Sequence, residues 1–267
     1  MKNDEIKQAN RKVLPKFLLF AVICAIIGGV IGYFSGYGSA KGDTDKLAGI
    51  MKEAGAFFGT HIASWLTVAT AVVVPAICMP VYGSAKKLLG AWDGEDENIS
   101  DKIDRKLSVV IWITSSTLIF SYFLIAASFS DGLSIFDDKN KTVVFFIGVA
   151  AFLIIMIEAI IIQQKCIDLV KQVNPEKKAS VYDMKFQKKW VDSCDEAEKI
   201  MIGKCAYKAY SATNIVCMVL SIILALCAPV FGIGFLPSFT VCLVWIVNIS
   251  AYFKEAMRYS KAGNKIF

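Results

Sequence analysis

A chain of 267 residues that is 56% hydrophobic and only 19% charged, with a mean hydropathy of +0.55, is too apolar for an ordinary soluble domain, where about 45–50% apolar and about 25% charged residues are usual. Its net charge of +6 is dispersed between apolar runs, so it concerns membrane orientation and lipid headgroups and points away from nucleic acid. Eight cysteines without a CxxC pair, beside a single histidine, exclude a zinc centre, and the sequence carries no motif for another metal or a cofactor.

The apolar residues fall into six runs, 17–37, 56–82, 107–129, 142–163, 211–228 and 236–253, each near the roughly 20 residues that a membrane-crossing helix needs. The expected fold is all-α. It is a single polytopic membrane domain over 1–267, with six transmembrane helices and a cytosolic helical hairpin at 164–210 between the fourth and fifth. Basic residues set the orientation, because Lys and Arg collect on the cytosolic side. The tails and the two polar segments 83–106 and 164–210 hold 24 of the 29, against 5 on the other face. Both termini are therefore expected in the cytosol. No cysteine falls in an outer loop, so all eight are expected as free thiols.

In chain order, the tail up to Lys16 reads as a basic inner-leaflet anchor. The alternative is a cleaved signal peptide with Gly38-Ser39-Ala40 as the cleavage site, but the apolar run exceeds the usual h-region. Gly28, Gly32 and Gly36, at spacing four in the first run, predict close helix packing. That packing is either an internal seam or the face of a homo-oligomer. Residues 38–55 read as an outer loop. The second run carries His61 near its outer end, and Pro75 and Pro80, a candidate hinge, since each proline removes a ladder hydrogen bond.

Asp93 to Asn98 is acidic but lacks calcium-loop spacing and reads as a solvated turn. Ser100 is the expected cap of the following helix. Glu158 is the only carboxylate within any run, and intramembrane carboxylates are by default functional candidates. A basic or polar partner is expected to hold it. Asn214 and Asn248 are candidate polar groups of the last two spans, expected to hydrogen-bond across helices.

The fourth helix should continue to Asn174-Pro175. In the returning arm, Ser193 and Glu196 fit a capping box, with Asp195, Glu196 and Glu198 in the first turn, where the helix dipole favours acids. No proline follows until Pro229, so this helix should run unbroken into the fifth span. Trp190, Cys194, Ala197, Met201 and Cys205 form one helical face, which either packs within the hairpin or presents Trp190 to a partner. Trp190, Asp195, Glu196 and Glu198 are the candidate partner contacts.

The motif Trp190-x-x-Ser193-Cys194-Asp195-Glu196-Ala197-Glu198-Lys199, followed by Gly203 and Ala206-Tyr207-Lys208-Ala209, resembles an uncharacterised family of Gram-positive bacterial membrane proteins, a domain of unknown function. The resemblance implies a bacterial plasma membrane and assigns no reaction. With no HExxH, no GxSG, no paired intramembrane aspartates and no nucleotide fingerprint, an enzyme is not expected. Two functions fit. One is a permease-like or accessory subunit of a transport system with a separate ATPase. The other is a structural or regulatory membrane protein that binds a partner through the hairpin.

Overall fold

The computed structural model describes residues 43–260 apart from Asp131, Lys178 and Gly232, together with scattered helical positions between Leu14 and Gly38. Much of the first apolar run, including Cys24 and Gly36, lies outside the described residues. Among the described residues every regular element is a helix. Two compact units are present: Glu53–Gly203, and Met1–Lys52 with Lys204–Phe267.

Helix α1, Asp43–Phe57, continues through a wider π-turn at Phe58–Ala63 into α2, Ser64–Gly90. The segment read as an outer loop is thus mostly helical. The π-turn lies where Gly59 abuts the end of the next long helix. A β-carbon on Gly59 would stand 2.1 Å from the Ala127 carbonyl oxygen, so only glycine tolerates this approach. The wider turn leaves carbonyls short of amide partners. Thr60 Oγ1 donates to Ala56 O at 2.8 Å, and His61 Nδ1 lies 3.3 Å from Phe57 O. Pro75 and Pro80 both stay inside α2, which keeps its helical assignment across them. The departure from α-geometry comes earlier, at the π-turn.

Helix α3, Glu97–Ala127, begins one turn before the expected cap. Asp96, not Ser100, caps it, accepting from Asn98 N at 2.9 Å. Asp93 Oδ1 accepts from Glu95 N and Asp96 N at 3.0 and 3.1 Å, so the acidic turn folds on its own carboxylates. A short 3-10 turn, Gly132–Asp137, leads to α4, Lys139–Val173, capped by Asp138. Helices α2, α3 and α4 pack pairwise as a three-helix bundle. Its principal buried cluster combines Cys78 and Ala85 with Ile103, Leu107 and Val110, and with Ile162, Cys166 and Leu169. Their spacings of three, four and seven put one stripe of each helix inward. Gly148 lets α4 approach α2, since a β-carbon there would lie 2.6 Å from Ser64 Oγ.

After α4 come a loop, the short α5 (Phe186–Asp192), then α6 (Glu196–Phe231) and α7 (Leu236–Ser260). The returning arm runs unbroken from Glu196 to Phe231, as expected, but starts two residues later than a Ser193 cap would place it, and a separate short helix precedes it. In the second unit, Asn214 Oδ1 accepts from Asn248 Nδ2 and Trp245 Nε1, both at 3.1 Å, and Tyr210 stacks on Tyr252 with centroids 4.5 Å apart.

Five helical segments, Lys46–Gly90, Glu97–Ala127, Lys139–Val173, Glu196–Ala228 and Leu236–Arg258, are long and apolar enough to cross a membrane. They expose Trp112, Ile119, Phe146, Ile157 and other large apolar side chains. In water that surface would be unfavourable, whereas hydrocarbon accepts it. The chain is a multi-pass helical membrane protein.

Candidate functional site

At one end of the bundle, residues 174–203 fold over α3 and α4 and form a cap. Asn174 and Pro175 stop α4, as their chemistry dictates. A tight turn follows, with Lys177 N donating to Asn174 O at 3.1 Å. Gln164 holds the loop down. Its Oε1 accepts from Ser180 Oγ at 3.0 Å and Val181 N at 2.8 Å, while its Nε2 donates to Asp168 Oδ1 at 2.7 Å. Nothing in the local pattern around Gln164 marks this role, since the partners lie 16 and 17 residues on.

Helix α5 ends at Ser193, whose Oγ donates to Trp190 O at 2.8 Å. Ser193 is thus a helix terminator. The capping box of α6 lies two residues later: Asp195 N donates to Glu198 Oε2 at 3.0 Å and Glu198 N to Asp195 Oδ1 at 2.7 Å. Aspartate competes well with serine at this position, and Glu198 rather than Glu196 closes the reciprocal pair. The break divides the stripe. Trp190 and Cys194 turn into the cap, while Ala197, Met201 and Cys205 are exposed.

Lys177 is the centre of the cap. Its side chain is only 2% exposed and pairs with Glu198. It also donates to Cys194 Sγ at 3.3 Å, and its Nζ lies 5.5 Å from the Trp190 ring centroid. Burial on its own would lower the Lys177 pKa, but the hydrogen bonds to Glu198 and Cys194 outweigh it and hold the ammonium above the ordinary value. Trp190 in turn stacks on Phe186 at 5.7 Å. Beside Lys177 lies a half-open cavity of about 250 Å³, lined by Asp104, Asn174, Trp190 and Glu198 among apolar side chains. Asp104 Oδ1 is buried there without a hydrogen-bond partner.

The cap's outer face carries a wider groove of about 860 Å³ along Glu176, Lys189, Asp192 and Asp195. Lys189 is engaged by Asp183, whose carboxyl is held below its ordinary range by that hydrogen bond. The groove is thereby left acidic. Glu196 stands beside it, its side chain 89% exposed and 3.5 Å from Lys199.

The remaining candidates lie elsewhere. Glu158 is half-buried against a water-sized cavity with Thr70, Pro75, Thr114 and Thr117, and among the described residues no hydrogen bond or ion pair holds it. The polar link between α3 and α4 is made instead by Gln163, whose Nε2 donates to Thr114 Oγ1 at 3.2 Å and Ser115 Oγ at 3.1 Å. His61 stacks on Phe57 at 4.8 Å and is exposed. Among the described residues, nothing lies within 4 Å of a β-carbon placed on Gly28 or Gly32; Gly36 lies outside the described residues. Among the described residues, all seven cysteines are free thiols and no cluster could hold a metal ion.

A family model described as a protein of unknown function (DUF3169) matches residues 10–256. Neither a curated protein nor a solved structure matches the chain.

Proposed function

We propose, from the premise that the chain belongs to the DUF3169 family of proteins of unknown function, that it is a regulatory or accessory membrane subunit that docks a cytosolic partner on its cap. The observation that carries this reading is the open groove whose Glu176, Asp192 and Asp195 carboxylates face a single, already paired lysine. Such a surface attracts a basic segment and favours its encounter rate. Tyr182 and Met184 stand 68% and 104% exposed in the adjoining loop, and exposed aromatic and methionine side chains suit adaptable contacts. Trp190 lines the cavity under the cap and not this groove, so in this reading the anchor falls to other residues. The basic-residue asymmetry supports a cytosolic cap, and the resemblance of the Trp190–Lys199 motif to a Gram-positive family supports a bacterial plasma membrane.

The test is a mild-detergent pull-down with mass spectrometry, run on the wild type and on a Glu176→Lys/Asp192→Lys variant. A partner recovered with the wild type and lost with the variant, at equal membrane levels, supports the reading. A partner retained by the variant overturns it.

A second reading, a permease-like subunit working with a separate ATPase, is favoured by Glu158 beside its water-sized cavity and by Pro75 on the same wall. Recovery of an ATPase supports it. Unchanged transport in Glu158→Gln removes the carboxylate from that reading.

A further inference from the structure

We infer that the cavity under the cap is a binding site for a compact organic ammonium ion with an apolar body, its cationic group pairing with Asp104. The inference goes beyond partner docking and stands without it. Charge comes first. Asp104, Glu198 and Lys177 line the same cavity, and Lys177 is committed to Glu198 and Cys194. Two carboxylates and one ammonium leave one negative charge, on Asp104. Its Oδ1 is closed off and without a donor, a state that a folded protein tolerates only at a cost, so a ligand in the cavity pairs with this carboxylate through Oδ2.

Size and walls narrow the class. A dry cavity of about 150 Å³ takes benzene, so about 250 Å³ holds a molecule somewhat larger. A bare metal ion would need about six oxygen ligands, and among the described residues no group of metal-ligating side chains stands together. Leu107, Ile111, Ile167 and Val170 supply an apolar wall, and the Trp190 indole completes it. A hydrocarbon body against these residues and an ammonium at Asp104 match the cavity's apolar wall and its unpaired charge, beside the neutral polar groups of Ser108 and Asn174. The indole already carries one ammonium, that of Lys177, at 5.5 Å, which shows the wall to be compatible with cations.

The experiment uses the full chain in detergent with benzylamine and its neutral isostere benzyl alcohol as probes. Cys194 lines the cavity and Cys205 is exposed, so alkylation of each, read by peptide mass, reports occupancy with an internal control. Benzylamine should slow alkylation of Cys194 and leave Cys205 unchanged, at concentrations about tenfold below those at which the alcohol acts. In Asp104→Asn the tenfold preference should vanish. Equal action of amine and alcohol on the wild type overturns the inference. So does an undiminished amine preference in Asp104→Asn. The wild-type comparison decides the matter even if the variant folds poorly.

Discussion

Lys177 is buried and Asp104 half-buried beside it, and they predict opposite responses to substitution. Asp104→Asn removes a partly buried charge that burial, Asp101 and Glu198 disfavour more than Lys177 favours, so the thermal unfolding midpoint in detergent should hold or rise. Lys177→Met strands Glu198 and Cys194 and should cost about 1–3 kcal/mol, read as a lower midpoint. The pH dependence has a definite sign. The Lys177 pKa is raised above its ordinary 10.5, so its contribution is complete below that value and is lost as the pH climbs through the raised one. The Asp183 pKa is lowered from 3.8 by the Lys189 hydrogen bond, so its contribution is present above that value and fades as the pH falls through the lowered one. Cap stability, followed by tryptophan fluorescence, should therefore be level from about pH 5 to 9 as far as these two pairs are concerned, and decline outside that window.

Between elements, among the described glycines, Gly59 and Gly148 make the close approaches and Gly28 and Gly32 do not. Gly59→Ala would force a β-carbon against the Ala127 backbone. It should cost about 1–3 kcal/mol, as overpacking does. Gly148→Ala meets the Ser64 side chain, at 2.6 and 2.9 Å, and adding Ser64→Gly should recover much of the loss. Gly28→Ala and Gly32→Ala meet nothing among the described residues and should leave the unfolding midpoint unchanged. The spacing of four that singled out Gly28, Gly32 and Gly36 is a real feature of the sequence. Which glycine lies at a crossing, however, depends on where another helix passes, and Gly148 has no small residue in register to announce it. The capping of α6 teaches the same lesson locally. Ser193, Asp195, Glu196 and Glu198 allow two overlapping boxes, and only the termination of α5 at Ser193 chooses between them.

For the whole chain, the five described apolar helices together with the run at 17–37 predict termini on one side of the membrane. The basic asymmetry predicts that side to be the cytosol. Reporters active on one side only, fused to each end, should both signal the cytosolic side, and an external C-terminus would overturn this topology. Alkylation of the unfolded protein without reductant should add eight groups, one for each cysteine. A smaller count would reveal a disulfide.

The sequence by itself determined the membrane class, the apolar segments and the end of α4 at Asn174-Pro175, because each follows from local hydropathy or local backbone chemistry. It also placed Asn214 and Asn248 on the last two spans, where their amides meet. Only the tertiary structure decided the rest. Lys177 looks like any lysine of a solvated loop until Gln164 draws residues 180 and 181 back onto α4. The same return buries its ammonium against Glu198, 21 residues away. Asp104 reads as one more charge in a polar helix start until the cap closes over it. Burial of these two groups is a property of contacts between distant segments, and no periodicity within either segment encodes it.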